Sequence, residues 1–235
     1  MSEEMNEGQV PRGQGAGEEA SWLEKVQGNW KIYPIIAAVV TAVIVGLWWY
    51  MSDSEAKNAE ASSHLSRIRA VYEAGNFSTA LTADTVSPMG GERVLGLMEI
   101  SEQYSGTEAG KVAALMAGNC LANLGRFEEA QTQFDRASSS SSQIIEVGAL
   151  QGLASCKEAS GDNAGAAALY EQAAQRALKT GLEGQCYYKA GLCYEQAGDK
   201  EKAGTLYTMV AKKYEVSDAA PSAKMGLARL GMAID

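Results

Sequence analysis

Three regimes of hydrophobic and polar positions follow one another along the 235 residues. Residues 1–30 show no apolar periodicity. From Ile32 to Tyr50 no residue is charged. After Ser52 apolar side chains recur every three or four positions and are interrupted at Gly–polar steps, which predicts a succession of amphipathic helices. The expected organisation is a disordered tail over 1–30, a transmembrane helix over 31–51, a helical stalk with a degenerate repeat and a loop over 52–90, and a helical domain over 91–235.

As a helix, the uncharged run would extend about 28 Å, close to a bilayer's hydrocarbon core. Trp30 and Tyr33 stand at one end, and Trp48, Trp49 and Tyr50 at the other, where amphipathic rings favour the headgroup level. A signal peptide would have a shorter apolar region and a small-residue cleavage site. Here thirty mostly polar residues come first and the exit reads "WWYMSDSE". A buried helix of a soluble domain would carry a polar face. The expected partner of 32–50 is therefore the lipid bilayer. Lys25 and Lys31 before the run, with Asp53 and Glu55 after it, favour an N-terminus on the cytoplasmic side. Ala38, Ala42 and Gly46, four apart, would suit helix pairing, so a homodimer is one expected partnership.

The helical region is self-similar. "ALMAGNCLANLGRFEEAQTQFDRA" (114–137), "LQGLASCKEASGDNAGAAALYEQA" (150–173) and "YYKAGLCYEQAGDKEKAGTLYTMV" (187–210) align in phase. The turn glycines are Gly125, Gly161 and Gly198. In each second half a small residue precedes an aromatic by four: Ala130 and Phe134, Ala166 and Tyr170, Ala203 and Tyr207. Gly118, Ala154 and Gly191 take the close-approach position of the first half. This pattern resembles the tetratricopeptide repeat (TPR). The large residue three positions on is Leu121, Lys157 and Tyr194, so the middle copy departs from the pattern, and the closing proline is absent. The fold class expected is all-α: a TPR solenoid of about three repeats, a degenerate N-terminal half, and a capping helix over 222–234 holding Met225, Leu227, Leu230 and Met232.

Composition and chemistry narrow the function. The formal net charge is −9, which argues against nucleic acid as a partner. Cys120, Cys156 and Cys193 share one repeat position and read as small packing residues. Cys186 and Cys193, seven apart on one helix, are separated by about 10 Å of rise, too far to bridge. The single histidine, His64, has no metal-ligand spacing around it and reads as a surface residue of the stalk. "GQGAG" lacks a preceding strand, and "SSSSS" (138–142) reads as a soluble corner. No enzyme, cofactor, catalytic residue or metal site is expected.

The resemblance implies a concave surface lined by the first helix of each repeat. Carried over position by position, it comprises Val112, Leu115, Asn119, Ala122 and Asn123, then Gly148, Gln151, Ser155, Glu158 and Ala159, then Gln185, Tyr188, Leu192, Glu195 and Gln196. Leu115, Asn119, Asn123, Gln151, Ser155, Glu158, Tyr188, Leu192 and Glu195 are the candidate partner-binding residues. The groove reads as neutral to acidic, suited to apolar or mildly basic polypeptide segments. The alternative is that some of these side chains pack against the upstream helix. The order of tail, anchor, stalk and "EQYSGTEAGK" (102–111) also resembles the YfgM-like family of membrane-anchored repeat proteins. That resemblance implies a single-pass protein of the bacterial inner membrane with a periplasmic repeat domain, acting as a chaperone-like accessory near the Sec translocon. The alternatives are a structural subunit of another membrane complex, or an adaptor facing the cytoplasm.

Overall fold

A computed structural model describes residues 32–86 and 93–233. The tail expected over 1–30 and most of the "TVSPMGGE" loop lie outside the described residues. The chain divides into two compact units, meeting between Ser52 and Asp53.

One helix, α1 (Ile32–Glu73), carries the apolar run and continues through the expected stalk without a break. In the first unit Ile35, Ile36, Val39, Val40, Val43, Ile44, Val45 and Trp48 are all exposed. Among the described residues, no helix is long and apolar enough to cross a membrane, so the transmembrane helix expected over 31–51 is not found.

The second unit is a stack of helical hairpins. After residues 53–73 of α1 come α2 (Phe77–Thr82), α3 (Leu97–Gln103), α4 (Glu108–Asn123), α5 (Phe127–Ala137), α6 (Gln143–Ala159), α7 (Asn163–Arg176), α8 (Glu183–Gln196), α9 (Lys200–Lys213) and α10 (Ala220–Leu230). From α3 onward each helix packs on its neighbours in sequence, and the first helices of successive hairpins also meet, α4 with α6 and α8 with α10. Where α4, α7 and α9 begin, Thr107, Asp162 and Asp199 cap the backbone N–H three residues on.

The hairpin turn recurs four times. Gly75, Gly125, Gly161 and Gly198 all have φ between +74° and +86°, a left-handed conformation that a Cβ disfavours. At each, the glycine N–H reaches the carbonyl three residues back. The next N–H reaches five back, as in Asp162 to Lys157 at 2.9 Å and Asp199 to Tyr194 at 2.9 Å. This pair of bonds satisfies carbonyls left open at the helix end. Its presence at Gly75 shows that the end of α1 and α2 form a hairpin of the same kind.

Inside the stack the second-helix aromatic is clasped by small residues. A Cβ added to Gly118 would lie 2.7 Å from the Phe134 ring, and Gly152 on the next hairpin faces the same ring. Tyr207 is held likewise between Gly191 and Gly226. Phe134, Tyr170 and Tyr207 are at most 2 % exposed.

Three expectations are corrected here. Met225 is 63 % exposed rather than packed, and α10 ends at Leu230. Gly231, at φ 71°, turns the chain so that Met232 lies against Gly204 of α9. The serine corner is not merely a soluble loop: Ser140 is buried and donates to the Glu108 carboxylate, which also accepts from the Ser141 N–H at 3.2 Å and Lys111 Nζ at 2.9 Å. Burial alone would raise the Glu108 pKa, but these bonds outweigh it and hold it down at about 2. His64 is not a surface residue: it is half-buried beside Tyr104, with ring centroids 6.0 Å apart, and its Nδ1 is buried without a hydrogen-bond partner.

Candidate functional site

The nine candidate residues lie on α4, α6 and α8, the first helices of three hairpins. The helical period puts each set on one face. All but the exposed Asn123 are half-buried, as befits the wall of a shallow groove. Leu115 reaches the first helix of the next hairpin, α6, where a Cβ at Gly148 would lie 3.3 Å from it. Gln151 spans to α8, donating to Cys186 Sγ at 3.3 Å and accepting from Lys189 Nζ at 3.5 Å.

Several of these polar groups are committed within the fold. The Tyr170 hydroxyl donates to Glu158 at 2.7 Å and lies 3.0 Å from Ser155 Oγ. Cys193, on the next hairpin, donates to the other Glu158 oxygen at 3.4 Å. Tyr207 donates to Glu195 at 2.6 Å, and Arg229 of α10 grips Glu195 with two bonds of 2.6 Å. Arg229 foremost holds the Glu195 carboxyl below its ordinary range. A buried tyrosine hydroxyl needs an acceptor, and leaving one unmet costs about 1–3 kcal/mol. Glu158 and Glu195 meet that need and staple each hairpin to its successor, and Arg229 neutralises the charge of Glu195. Asn119 donates to the Tyr72 hydroxyl of α1 at 3.3 Å, and Asn123 to the Asn119 carbonyl at 2.8 Å. Packing against the upstream helix thus accounts for Asn119.

What remains open to a ligand is mixed. Tyr188 lies over Tyr207, with ring centroids 5.8 Å apart, and with Gln185 borders a recess of about 380 Å³ closed by Val216–Ala219. Leu192 packs into the cluster formed by α9 and α10. Lys189, which the position-by-position reading passed over, stands 5.4 Å from the centre of the Tyr170 ring. Its place beside Gln151 was unreadable from within either repeat, since the contact joins two hairpins.

The cysteines sit in the packed interior. All four are buried and unpaired. Burial raises the thiol pKa to about 11 at Cys120 and Cys186 and to about 12 at Cys193, where Glu158 adds to the effect. Among the described residues, no group of three or more His, Cys, Asp or Glu could hold a metal ion.

Residues 185–215 match the tetratricopeptide repeat family. That span covers nearly all of α8 and α9, the third hairpin. The tetratricopeptide match coincides with the left-handed turn at Gly198 and the Gly191–Tyr207 contact, and the same turn recurs at Gly125 and Gly161. No curated protein and no solved structure matches the chain. Stacked repeats of this kind offer extended surfaces to proteins and peptides, and the repeat marks the chain as a scaffold for protein–protein interaction.

Proposed function

We propose that this chain is a membrane-attached TPR scaffold that holds polypeptide segments of client or partner proteins in the groove of α4, α6 and α8. The observation that carries the reading is the in-phase stack of hairpins around the 185–215 repeat, which presents three first helices side by side. Attachment to a bilayer is supported by the uncharged sequence from Ile32 to Tyr50 and by the exposed apolar side chains of its described part. No enzymatic activity is assigned to it. A periplasmic position for the repeats, in a bacterial inner membrane and beside the Sec translocon, rests on the likeness of "EQYSGTEAGK" to the YfgM-like family and on the charges flanking the run.

Two measurements test the proposal. Photo-crosslinkers at Gln151 and Tyr188, in cells, should capture exported polypeptides or translocon neighbours, and recovery of cytosolic proteins alone would reject the periplasmic reading. For topology, Val216→Cys supplies a reporter, since Val216 is 95 % exposed while the native cysteines are buried. A membrane-impermeant maleimide that reaches the periplasm should label it in intact cells. Labelling only after the inner membrane is opened would favour the cytoplasm-facing adaptor. Extraction of the chain from membranes by carbonate would refute the anchor.

A further inference from the structure

Counting back from the turn glycine, the groove residues of the three repeats lie thirteen, ten, six, three and two positions before Gly125, Gly161 and Gly198. The same turn at Gly75 puts Ser62, Leu65, Arg69, Tyr72 and Glu73 at those places on α1. The structure shows all five lining one recess of about 420 Å³, whose other wall is Val112 and Met116 of α4. Pockets of about 300–1,000 Å³ hold small ligands, so this recess has room for one bulky side chain. Leu65, Tyr72 and Met116 are half-buried against the core, so the floor is apolar and firm.

Two carboxylates on this face pair with arginines. Arg69 bonds Glu73 at 2.7 Å, Arg229 bonds Glu195 at 2.6 Å, and Glu158 is held by Tyr170 and Cys193. Lys189 rests against Gln151 and the Tyr170 ring, and its single charge is opposite in sign to that of Glu158. The formal charges of these six groups, Arg69, Lys189 and Arg229 against Glu73, Glu158 and Glu195, sum to zero. The amides of Gln151, Gln185 and Gln196 can bond a peptide backbone.

We propose that α1 supplies the first wall of the groove, and that the extended groove takes an uncharged extended segment of a partner polypeptide, with a bulky apolar side chain seated among Leu65, Tyr72, Val112 and Met116. This inference rests on the groove reading above and adds the anchoring recess and the partner's chemistry. Binding is then weakly dependent on salt, because screening acts on net charge that the face lacks.

The test uses the full chain in detergent and three dye-labelled, end-blocked decapeptides: alternating Leu and Gln, and the same with Gln replaced by Glu or by Lys. The neutral peptide should bind tightest, and its affinity should change less than twofold between 50 and 300 mM salt. Met116→Ser and Leu65→Ser, each checked for native helicity, should weaken it about tenfold. Loss on Gln151→Ala with Tyr188→Ala, but none on Met116→Ser or Leu65→Ser, would overturn the α1 extension and leave the groove reading standing. Binding indifferent to both sets, or no binding of any peptide, would overturn both. Preference for either charged peptide with steep salt dependence would overturn the neutral partner. Independently of folding effects, Arg69→p-benzoylphenylalanine should cross-link to the neutral peptide. Cross-links instead to residues 1–31, to 87–92 or to a second copy would assign the recess to the chain itself and overturn the proposal.

Discussion

A single hydroxyl separates the repeats. Phe134 has none, and twelve positions before it stands Ala122. Tyr170 and Tyr207 have one each, and twelve positions before them stand Glu158 and Glu195, which accept from them. Phe134→Tyr should therefore bury a hydroxyl without the carboxylate that meets it in the other two repeats, and cost about 1–3 kcal/mol. Ala122→Glu in the same chain should recover part of that loss, measured as a coupling energy in urea unfolding. The pairing was legible in the sequence as a twelve-residue co-occurrence, but only once the hairpin geometry showed why it matters. Read as groove positions, the glutamates suggested an acidic ligand surface, but both are engaged by tyrosine hydroxyls within the fold.

Glu108 offers a second test at this scale. Its carboxyl sits at about 2 when folded, below the ordinary 4.5. A depressed folded pKa contributes stability that is present above the unfolded pKa and lost as pH falls through the folded one. Glu108→Gln should thus destabilise the chain at pH 7, and its midpoint deficit relative to the native chain should shrink between pH 4.5 and pH 2. A deficit constant across that window would show that the serine corner is held by packing alone.

At the level of elements, the small-residue clasp sets the spacing of helices. Phe134→Ala removes a ring shared by α4, α5 and α6 and should cost about 3–5 kcal/mol, seen as a lowered urea midpoint. Gly118→Leu should also destabilise, because the ring leaves no room for the added side chain. The repeats, their glycines, their aromatics and the Thr107 cap were readable because periodicity and turn chemistry are local. Contacts between distant segments were not. Asn58 Oδ1 accepts from the Ala109 N–H at 2.9 Å, and Ser101 donates to Gln133 at 3.0 Å in the interior. Neither has a spacing that announces it. The unbroken run of α1 escaped prediction for another reason: hydropathy changes at Ser52, but helix propensity does not, and "SDSEAKNAEASSHLSRIRAVYE" carries no glycine or proline to stop it.

For the whole molecule, repeat stacks gain stability from each unit and from each joint between units. The joint between the second and third repeats carries the Glu158–Cys193 and Gln151–Lys189 contacts, and the next joint carries the two-bond Arg229–Glu195 grip. Between 108–137 and 143–176 the described residues show packing, through Phe134 on Gly152 and Leu115 on Gly148, but no side-chain hydrogen bond crosses. The stack is accordingly not uniform in cooperativity. Native-state hydrogen exchange should find α6 to α10 opening as one foldon, and 53–137 opening as another with a different free energy, the boundary falling at the serine corner. The Glu158–Cys193 and Glu195–Arg229 bonds then have a second role: they decide which repeats unfold together, and so how far a pull on one end of the scaffold is felt along it.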